Sequence, residues 1–191
     1  MGKMEKRDAI LDAVKASFMQ QGYRKLTLSE VAKTVGITKS AIYHYFPNKK
    51  AMFRAVMQRE MSRNQQALER AAEREREPDA KLLAMLQARF RALLRLEGQP
   101  SMSMDLLIDI EPLAREVREL FVTAETDLFA GVLRQGIAAG TFRIADPEYT
   151  ARLLVGIFRG LEEETMVRGK VRNLRKKIDG LIDLLLHGLL K

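Results

Sequence analysis

The sequence contains no cysteine and no tryptophan, and only two of its 191 residues are histidines. Without cysteine, disulfides, thiolate nucleophiles and thiolate metal sites are excluded. The two histidines, His44 and His187, stand far apart, and the sequence contains neither a His-Glu-x-x-His zinc motif nor a glycine-rich phosphate loop. We therefore expect a protein that is not an enzyme and that holds no metal and no other cofactor.

Long apolar stretches are also missing. No apolar run approaches the ~20 residues that a membrane-spanning helix needs, and the first residues alternate in charge instead of forming a leader. The polar face of the first predicted helix carries Glu5, Asp8 and Asp12 beside its lysines, which suits an anionic lipid surface poorly. We expect a cytoplasmic protein with no membrane partner.

Positive charge is present in excess, and it is concentrated at one end. The net charge is +8, and residues 1–60 alone contain 12 Lys and Arg against 5 Asp and Glu. The remaining 131 residues are nearly neutral, with 21 basic and 20 acidic side chains. A basic segment on a neutral body is typical of proteins that bind a polyanion. A basic surface that serves only solubility remains the alternative.

Apolar residues recur at helical spacing along the whole chain, and no run alternates over the length of a strand. Glycines, prolines and capping residues divide the chain into helices. The predicted helices are 6–20, 27–35, 38–46, 48–77, 79–96, 102–110, 112–139, 147–168 and 173–190. The pattern predicts an all-α protein, with a small N-terminal domain of residues 1–50 and a larger domain of residues 51–191.

The segment from Thr27 to Lys50 has the pattern of a helix-turn-helix. Thr27 and Glu30 form a capping box at the start of one short helix, and Gly36 follows the end of that helix. Thr38 then caps a second short helix, on which Ile42 faces the shared core. The outer face of this second helix carries Lys39, Ser40, Tyr43 and His44, and a helix presented in this way fits the major groove of DNA.

Side chains that suit phosphate groups lie in the same segment. Lys39 and Lys49 supply positive charge, and Thr27, Tyr43 and Tyr45 supply hydroxyl donors. Taken singly, each tyrosine is as well explained as a core aromatic, and each lysine as an ordinary surface residue. For the set as a whole these alternatives are less favoured, because capping, turn, spacing and charge asymmetry all agree with DNA binding. The predicted DNA-binding residues are Thr27, Thr38, Lys39, Ser40, Tyr43, His44, Tyr45 and Lys49.

Over residues 6–57 the chain resembles the TetR family of transcriptional regulators. The signature residues are Thr27, Ala32, Gly36, Ile37, Thr38, Tyr43, Tyr45, Phe46 and Lys49. The resemblance implies a three-helix DNA-binding domain followed by a larger helical domain for ligand binding and dimerisation. It also implies that Lys39 and Ser40 approach bases, while Tyr43, Tyr45 and Lys49 hold phosphates. Family members often have Gly in place of Ser40 and His in place of Tyr45, so their base preference does not transfer.

The last two predicted helices carry the broadest apolar stripes. Because a palindromic operator is read by two subunits, part of the larger domain has to form a homodimer. The stripes predict the interface residues Leu154, Phe158, Leu161, Leu181, Leu185 and Leu189. The alternative is that both stripes are used inside the core of one subunit.

Methionines and phenylalanines of the middle helices are candidates for the lining of an effector site, because methionine adapts to irregular apolar ligands. These candidates are Met61, Met85, Phe90, Met104, Phe121 and Phe129. An ordinary core explains each of them at least as well. Asp105 and Asp109 lie one helical turn apart and could pair with Arg89 or a cationic ligand, although a solvated acidic face is the simpler interpretation. The run of acidic residues from 162 to 164 is interpreted in the same way.

The sequence thus predicts a DNA-binding transcriptional regulator. Its expected partners are a palindromic operator in double-stranded DNA, a second copy of the chain, and a small, mostly apolar effector that releases the repressor from DNA. The alternative is an architectural protein that binds nucleic acid without regard to sequence. Such a protein would need the basic segment but not the large neutral domain.

Overall fold

The computed structural model of the protein describes residues 2–96, 104–168 and 173–189. Within its helices, the side chains of residue 3, residues 104–111 and residues 186–189 lie outside the described part. The described residues form eight α-helices and no β-strand, which confirms the all-α prediction. The helices are α1 (Lys3–Lys25), α2 (Leu28–Val35), α3 (Lys39–Tyr43), α4 (Lys49–Glu73), α5 (Pro78–Leu94), α6 (Met104–Ala138), α7 (Pro147–Arg168) and α8 (Leu174–Leu189).

The chain packs into two compact units. Unit 1 comprises Met1–Met61 and Met102–Arg118, and unit 2 comprises Ser62–Ser101 and Glu119–Lys191. Helices α4 and α6 each contribute residues to both units. These units are defined by packing, whereas the predicted division at residue 50 concerns function and stays a prediction.

The core of unit 1 is aliphatic and closes over the first three helices. Ile10, Leu11 and Val14 of α1 lie against Val31 of α2 and Ile42 of α3, and all five side chains are buried. A second cluster joins Phe53 of α4 to Leu113 of α6 and is flanked by rings of α1. The ring centroids of Phe18 and Phe53 are 5.0 Å apart, and those of Tyr23 and Phe53 are 5.3 Å apart.

Ion pairs hold the first half of α4 to α1. Arg59 Nη2 lies 2.6 Å from Asp12 Oδ1, and Arg59 Nη1 donates a hydrogen bond to the carbonyl oxygen of Asp8 at 3.1 Å. Beside this pair, Nζ of Lys15 on α1 lies 2.6 Å from Oε2 of Glu60 on α4. Since Arg59 is 12% exposed, its pairs are better shielded from solvent than ordinary surface pairs.

Unit 2 has the larger core, formed by α5, the second half of α6, α7 and α8. After α6, the chain turns so tightly that the ring of Phe142 lies directly over Gly136. A Cβ atom at position 136 would come within 2.0 Å of this ring, so only glycine fits there without displacement. Backbone N–H groups of Thr141 and Phe142 both donate to the Gly136 carbonyl oxygen, at 2.8 and 3.1 Å.

Several predicted helix boundaries differ from the structure, and two of the differences change the arrangement of the helices. The helices predicted at 102–110 and 112–139 form one helix, α6, which runs from Met104 to Ala138 with Pro112 inside it. An internal proline removes one backbone hydrogen bond, and the burial of Leu113, Ala114 and Val117 directly after it offsets that cost. In the other case, α3 ends at Tyr43 and not at Phe46.

Candidate nucleic-acid interface

Helix α2 begins at the predicted capping box. Glu30 N donates to Thr27 Oγ1 at 3.3 Å, and the Glu30 carboxylate accepts from Thr27 N at the same distance. The Thr27 hydroxyl itself donates to Glu30 Oε2 at 2.9 Å. Its proton is therefore already engaged, and Thr27 contributes to the site first of all by fixing where α2 starts.

The turn between α2 and α3 requires a glycine. Gly36 has φ +72°, in the left-handed region where side chains with a Cβ are strained. Its N–H donates to Lys33 O, and the next N–H, of Ile37, donates to Ala32 O at 3.0 Å. Ala32 is buried, and its small side chain allows the chain to reverse closely over α2.

Helix α3 is short and is held at both ends. Thr38 Oγ1 accepts a hydrogen bond from Ala41 N at 3.1 Å, which caps its first turn as predicted. Beyond Tyr43 the chain does not extend the helix. Instead, the N–H groups of Tyr45 and Phe46 both donate to Ile42 O, at 2.9 and 3.0 Å. Ile42 and Phe46 are buried in the core of unit 1, so the orientation of α3 is fixed by packing.

With Ile42 facing inward, the opposite face of α3 points away from the unit 1 core. Lys39, Ser40 and His44 are exposed, and Tyr43 retains 47% of its accessible surface. These four residues, all among the predicted DNA-binding set, therefore form one accessible polar face, which we call the α3 face.

Tyr45 and Lys49 are more enclosed. Tyr45 is half-buried against the unit 1 core. Lys49 Nζ donates to the carbonyl oxygen of Arg24 at 3.1 Å and lies 4.5 Å from the centre of the Tyr23 ring. Burial lowers the pKa of the Lys49 ammonium below its ordinary value. Lys49 thus connects the start of α4 to the end of α1, a contact that the sequence pattern did not reveal.

Arg7 is a second residue that the sequence analysis missed. Its guanidinium lies 5.3 Å from the centre of the Phe46 ring, and the side chain is exposed. The contact places a positive charge of α1 beside the segment that follows α3. Its only signal in the sequence is the basic character of residues 1–60.

The predicted effector-lining residues fall into different environments. Met85, Phe90 and Phe129 are buried in the unit 2 core. The rings of Phe90 and Phe129 both contact Phe158, with centroid distances of 4.9 and 6.3 Å. Met61 is half-buried at the end of unit 1, and Phe121 is half-buried on α6. The side chain of Met104 lies outside the described residues.

The predicted dimer residues need a correction. Leu154 and Phe158 are 2% and 1% exposed inside the unit 2 core, and they are therefore inaccessible to a second subunit. Leu161, Leu181 and Leu185 are partly buried against the same core, and the side chain of Leu189 lies outside the described residues. The exposed apolar side chains of α7 are instead Leu153 and Ile157, at 49% and 39%. The accessible apolar face of α7 is therefore not the one that the periodicity selected.

A buried charge cluster in unit 2 was also missed. Arg89, only 5% exposed, donates from Nε to Glu125 Oε1 at 2.6 Å and from Nη1 to Glu162 Oε1. Burial alone would lower the pKa of Arg89, but Glu162 and Glu125 raise it. Burial raises the pKa of Glu125 and outweighs the attraction of Arg89. The interpretation of residues 162–164 as a solvated acidic face was therefore wrong for Glu162.

Neither a metal site nor a membrane span is found in the described part of the chain. There, no three His, Cys, Asp or Glu side chains come together in a group suited to a metal ion. Likewise, none of the described helices combines the length and the apolar character that crossing a membrane requires. The α3 face, with its capped helices and basic surroundings, has the geometry of the helix-turn-helix class of DNA-binding segments.

Comparison with known proteins narrows this class. Residues 10–56 match the family model described as bacterial regulatory proteins, tetR family. This match spans most of α1, all of α2 and α3, and the start of α4, so this segment is similar to the DNA-binding part of tetR-family regulators. The chain is 24% identical over 163 residues to YhgD of Bacillus subtilis, an uncharacterized HTH-type transcriptional regulator, covering 83% of each chain. It is 25% identical over 143 residues to the transcriptional repressor KstR2 of Mycolicibacterium smegmatis, covering 72% of this chain and 68% of KstR2.

The fold agrees with solved structures along nearly the whole chain. SmeT is the repressor of the Stenotrophomonas maltophilia multidrug efflux pump SmeDEF. In its complex with triclosan, SmeT superimposes with a TM-score of 0.76 at 22% identity, over 98% of this chain and 92% of SmeT. At this level of identity, the similarity shows the fold.

Proposed function

We propose that the protein is a homodimeric repressor that binds a palindromic operator and leaves it when a small, mostly apolar effector binds the larger domain. The observation that carries the proposal is the α3 face. Its polar side chains are exposed, while the backbone beneath them is held by a buried core, two helix caps and a left-handed glycine. A rigid helix that presents lysine, serine and tyrosine outward is suited to the major groove.

The predicted DNA-binding residues divide into two groups by function. Lys39 and Ser40 lie in the first turn of α3, where a recognition helix meets base edges, so we assign base selection to them. Tyr43 and Lys49 offer donors nearer the end of the segment, and we assign phosphate contacts to them, with Tyr45 contributing its polar tip. Thr38 and Thr27 support these residues by capping α3 and α2.

The outer face of α7 is suited to a second copy of the chain. Leu153, Gly156, Ile157 and Gly160 recur at helical spacing, and all four are exposed. No described atom lies within 4 Å of a Cβ added to either glycine, so a partner helix has room to approach closely. On α8, Leu184 is also apolar and 70% exposed, and we assign it to the same interface. We call the five residues the α7–α8 face and propose it as the dimer interface.

An effector would act through helix α4. This helix begins at Lys49, directly after Asn48, whose Oδ1 accepts a hydrogen bond from Ala51 N at 2.8 Å, and it continues into unit 2. Its first half is fixed to α1 by the Arg59 and Lys15 ion pairs. A change in the setting of α4 would therefore carry α1 with it and alter the spacing of the two recognition helices. The protein would then alternate between two positions of α4. The effector shifts the equilibrium between these positions only by the difference between its affinities for them.

Operator binding is tested with DNA from the gene's own upstream region. The affinity of the protein for a palindromic duplex from that region is compared with its affinity for a random duplex of equal length, across a series of salt concentrations. We expect specific binding tighter by at least about 10³-fold at physiological salt. Equal affinities and equal salt slopes for the two duplexes would instead indicate the architectural protein.

A further inference from the structure

The cluster of Arg89, Glu125 and Glu162 is the most unusual feature of the unit 2 core. Its three residues come from three helices, α5, α6 and α7, and Arg89 bridges the two carboxylates. Among the described residues, only Arg89 and Thr165 are polar and buried, and Thr165 satisfies its hydroxyl on the Leu161 carbonyl of its own helix at 2.7 Å. Arg89 is thus the one buried charge in this part of the protein.

Stability alone does not account for such a cluster. Charges removed from water lose solvation, and buried ion clusters are often replaced by apolar side chains without loss of stability. Here the surroundings are already apolar, because Phe90 and Phe129 flank Phe158, and the Arg89 guanidinium lies 5.3 Å from the centre of the Phe158 ring. A charged group kept in an aromatic core points to a role in recognition.

The cluster contains one positive charge fewer than it contains negative charges. Two carboxylates share one guanidinium, which leaves one formal negative charge in excess. Each carboxylate uses only Oε1, and in the described part of the chain neither second oxygen accepts a hydrogen bond. Their side chains are 14% and 23% exposed, so these acceptors are not fully closed off.

A further cation, Arg159, does not neutralise the excess negative charge by pairing with either carboxylate. The charge of Arg159, one turn before Glu162 on α7, lowers the pKa of Glu125. Even so, Arg159 forms no ion pair with either carboxylate within the described residues, and its buried Nε has no hydrogen-bond partner there. The acceptors on Glu125 and Glu162 thus remain available to a donor from outside the chain.

We propose that this cluster is the polar anchor of the effector site, and that the effector is an apolar, aromatic compound carrying one cationic N–H group. The ammonium or amidinium group donates to the free oxygens of Glu125 and Glu162, and the apolar body lies against Phe90, Phe129 and Phe158. This inference rests on the proposed function, since it names the chemical class of the effector.

Three probes of nearly equal size test the charge preference: 4-phenylbutylammonium, 4-phenylbutyrate and 4-phenylbutanol. Binding to the full-length protein is measured by calorimetry without DNA, at one pH and ionic strength. We expect the ammonium compound to bind at least about tenfold more tightly than the other two, because only its donor is itself positively charged and offsets the excess negative charge of the two carboxylates. The net charge of +8 would favour the carboxylate, so non-specific attraction cannot produce this order.

Matched variants assign the preference to the cluster. Glu162→Gln keeps the shape and removes one charge, and we expect it to reduce the preference for the ammonium to less than about threefold. Asp127→Asn makes the same change on the exposed side of α6 and should leave the preference intact. If Glu162→Gln does not fold, as judged by its unfolding transition, Glu125→Gln replaces it.

The outcomes separate this inference from the proposed function. Tighter binding of the carboxylate or the alcohol, binding of none of the three, or a preference that survives the glutamate substitution would each overturn the inference. Operator affinity is then measured with and without saturating 4-phenylbutylammonium. Glutamate-dependent binding that leaves operator affinity unchanged would support the anchor and contradict effector-controlled release.

Discussion

The two units place their polar groups in opposite ways. In unit 1 the described buried side chains are all apolar, and the side chains with the clearest chemistry, Lys39, Ser40, Tyr43 and His44, lie outside the core. In unit 2 the core is rich in phenylalanine, and a charged residue, Arg89, lies inside it. A rigid, dry core beneath an exposed face suits a large external ligand such as DNA, whereas a polar group within an apolar core suits a small ligand that becomes enclosed.

This contrast predicts that substitutions of functional residues have different consequences in the two units. In unit 2, removal of a polar group should destabilise the fold, because its partners stay buried without compensation. In unit 1, removal of a polar group of the α3 face should weaken DNA binding and leave the fold intact, because nothing buried depends on it.

The largest effect is expected for Arg89→Leu. Two carboxylates would remain in the core without their cation, and we expect a loss of about 3–5 kcal/mol in the free energy of unfolding. Urea denaturation measures it. Arg91→Leu, at an exposed position of the same helix, should stay within about 0.5 kcal/mol of the unsubstituted protein. If Arg89→Leu were as mild as this control, the contrast between the units would fail.

A substitution on the α7–α8 face comes next. Ile157→Glu would place a carboxylate in the proposed dimer interface, and we expect the dimer to weaken by about 2 kcal/mol or more, or roughly 30-fold. Sedimentation at several protein concentrations measures the dissociation constant. Ala145→Glu adds the same charge at an exposed position of unit 2 outside α7. Equal dissociation constants for the two variants would show that the interface lies elsewhere.

The helix caps of unit 1 test the rigidity beneath the α3 face. Thr27→Ala removes the capping box, and we expect a loss of about 1 kcal/mol in the free energy of unfolding. Thr34→Ala, on the same helix, removes a hydroxyl that bonds only to the Glu30 carbonyl oxygen and should cost less than about 0.5 kcal/mol. Unfolding curves of the two variants that superimpose would contradict the role of the cap.

The smallest effect is expected for Tyr43→Phe, which removes one exposed hydroxyl. We expect operator binding to weaken by about 1 kcal/mol, or roughly fivefold, with little change in sequence preference and none in the unfolding transition. Lys39 or Ser40 substitutions should alter the preference itself. Tyr149→Phe, at an exposed tyrosine of unit 2, is the matched control for operator affinity. A Tyr43→Phe variant indistinguishable from it would mean that another face contacts the phosphates.

Local signals predicted unit 1 well. The start of α2 at the Thr27 cap and its end before Gly36 depend on residues within a few positions of one another, and both agree with the structure. The same holds for Thr38 at the start of α3 and for Pro147–Arg168 as the bounds of α7. The end of α3 was misplaced because the bonds to Ile42 O follow from the packing of Phe46.

Long-range packing explains most of what the sequence did not predict. Helix α7 is apolar on two faces, and only the positions of α5 and α8 decide that Leu154 and Phe158 point inward while Leu153 and Ile157 do not. Arg89 lies 36 and 73 positions from its partners Glu125 and Glu162. No local pattern connects them, and the aspartates considered as its partners, Asp105 and Asp109, lie on a helix segment whose side chains are outside the described residues.

The contact between Lys49 and the end of α1 has a consequence for the thermodynamics of operator binding. A free lysine loses up to about 2 kcal/mol of rotamer entropy when a ligand immobilises it. Because the Arg24 carbonyl and the Tyr23 ring already restrain the Lys49 ammonium, much of that loss occurs when the protein folds. In the proposed complex, the phosphate group would therefore meet a cation that needs little further ordering.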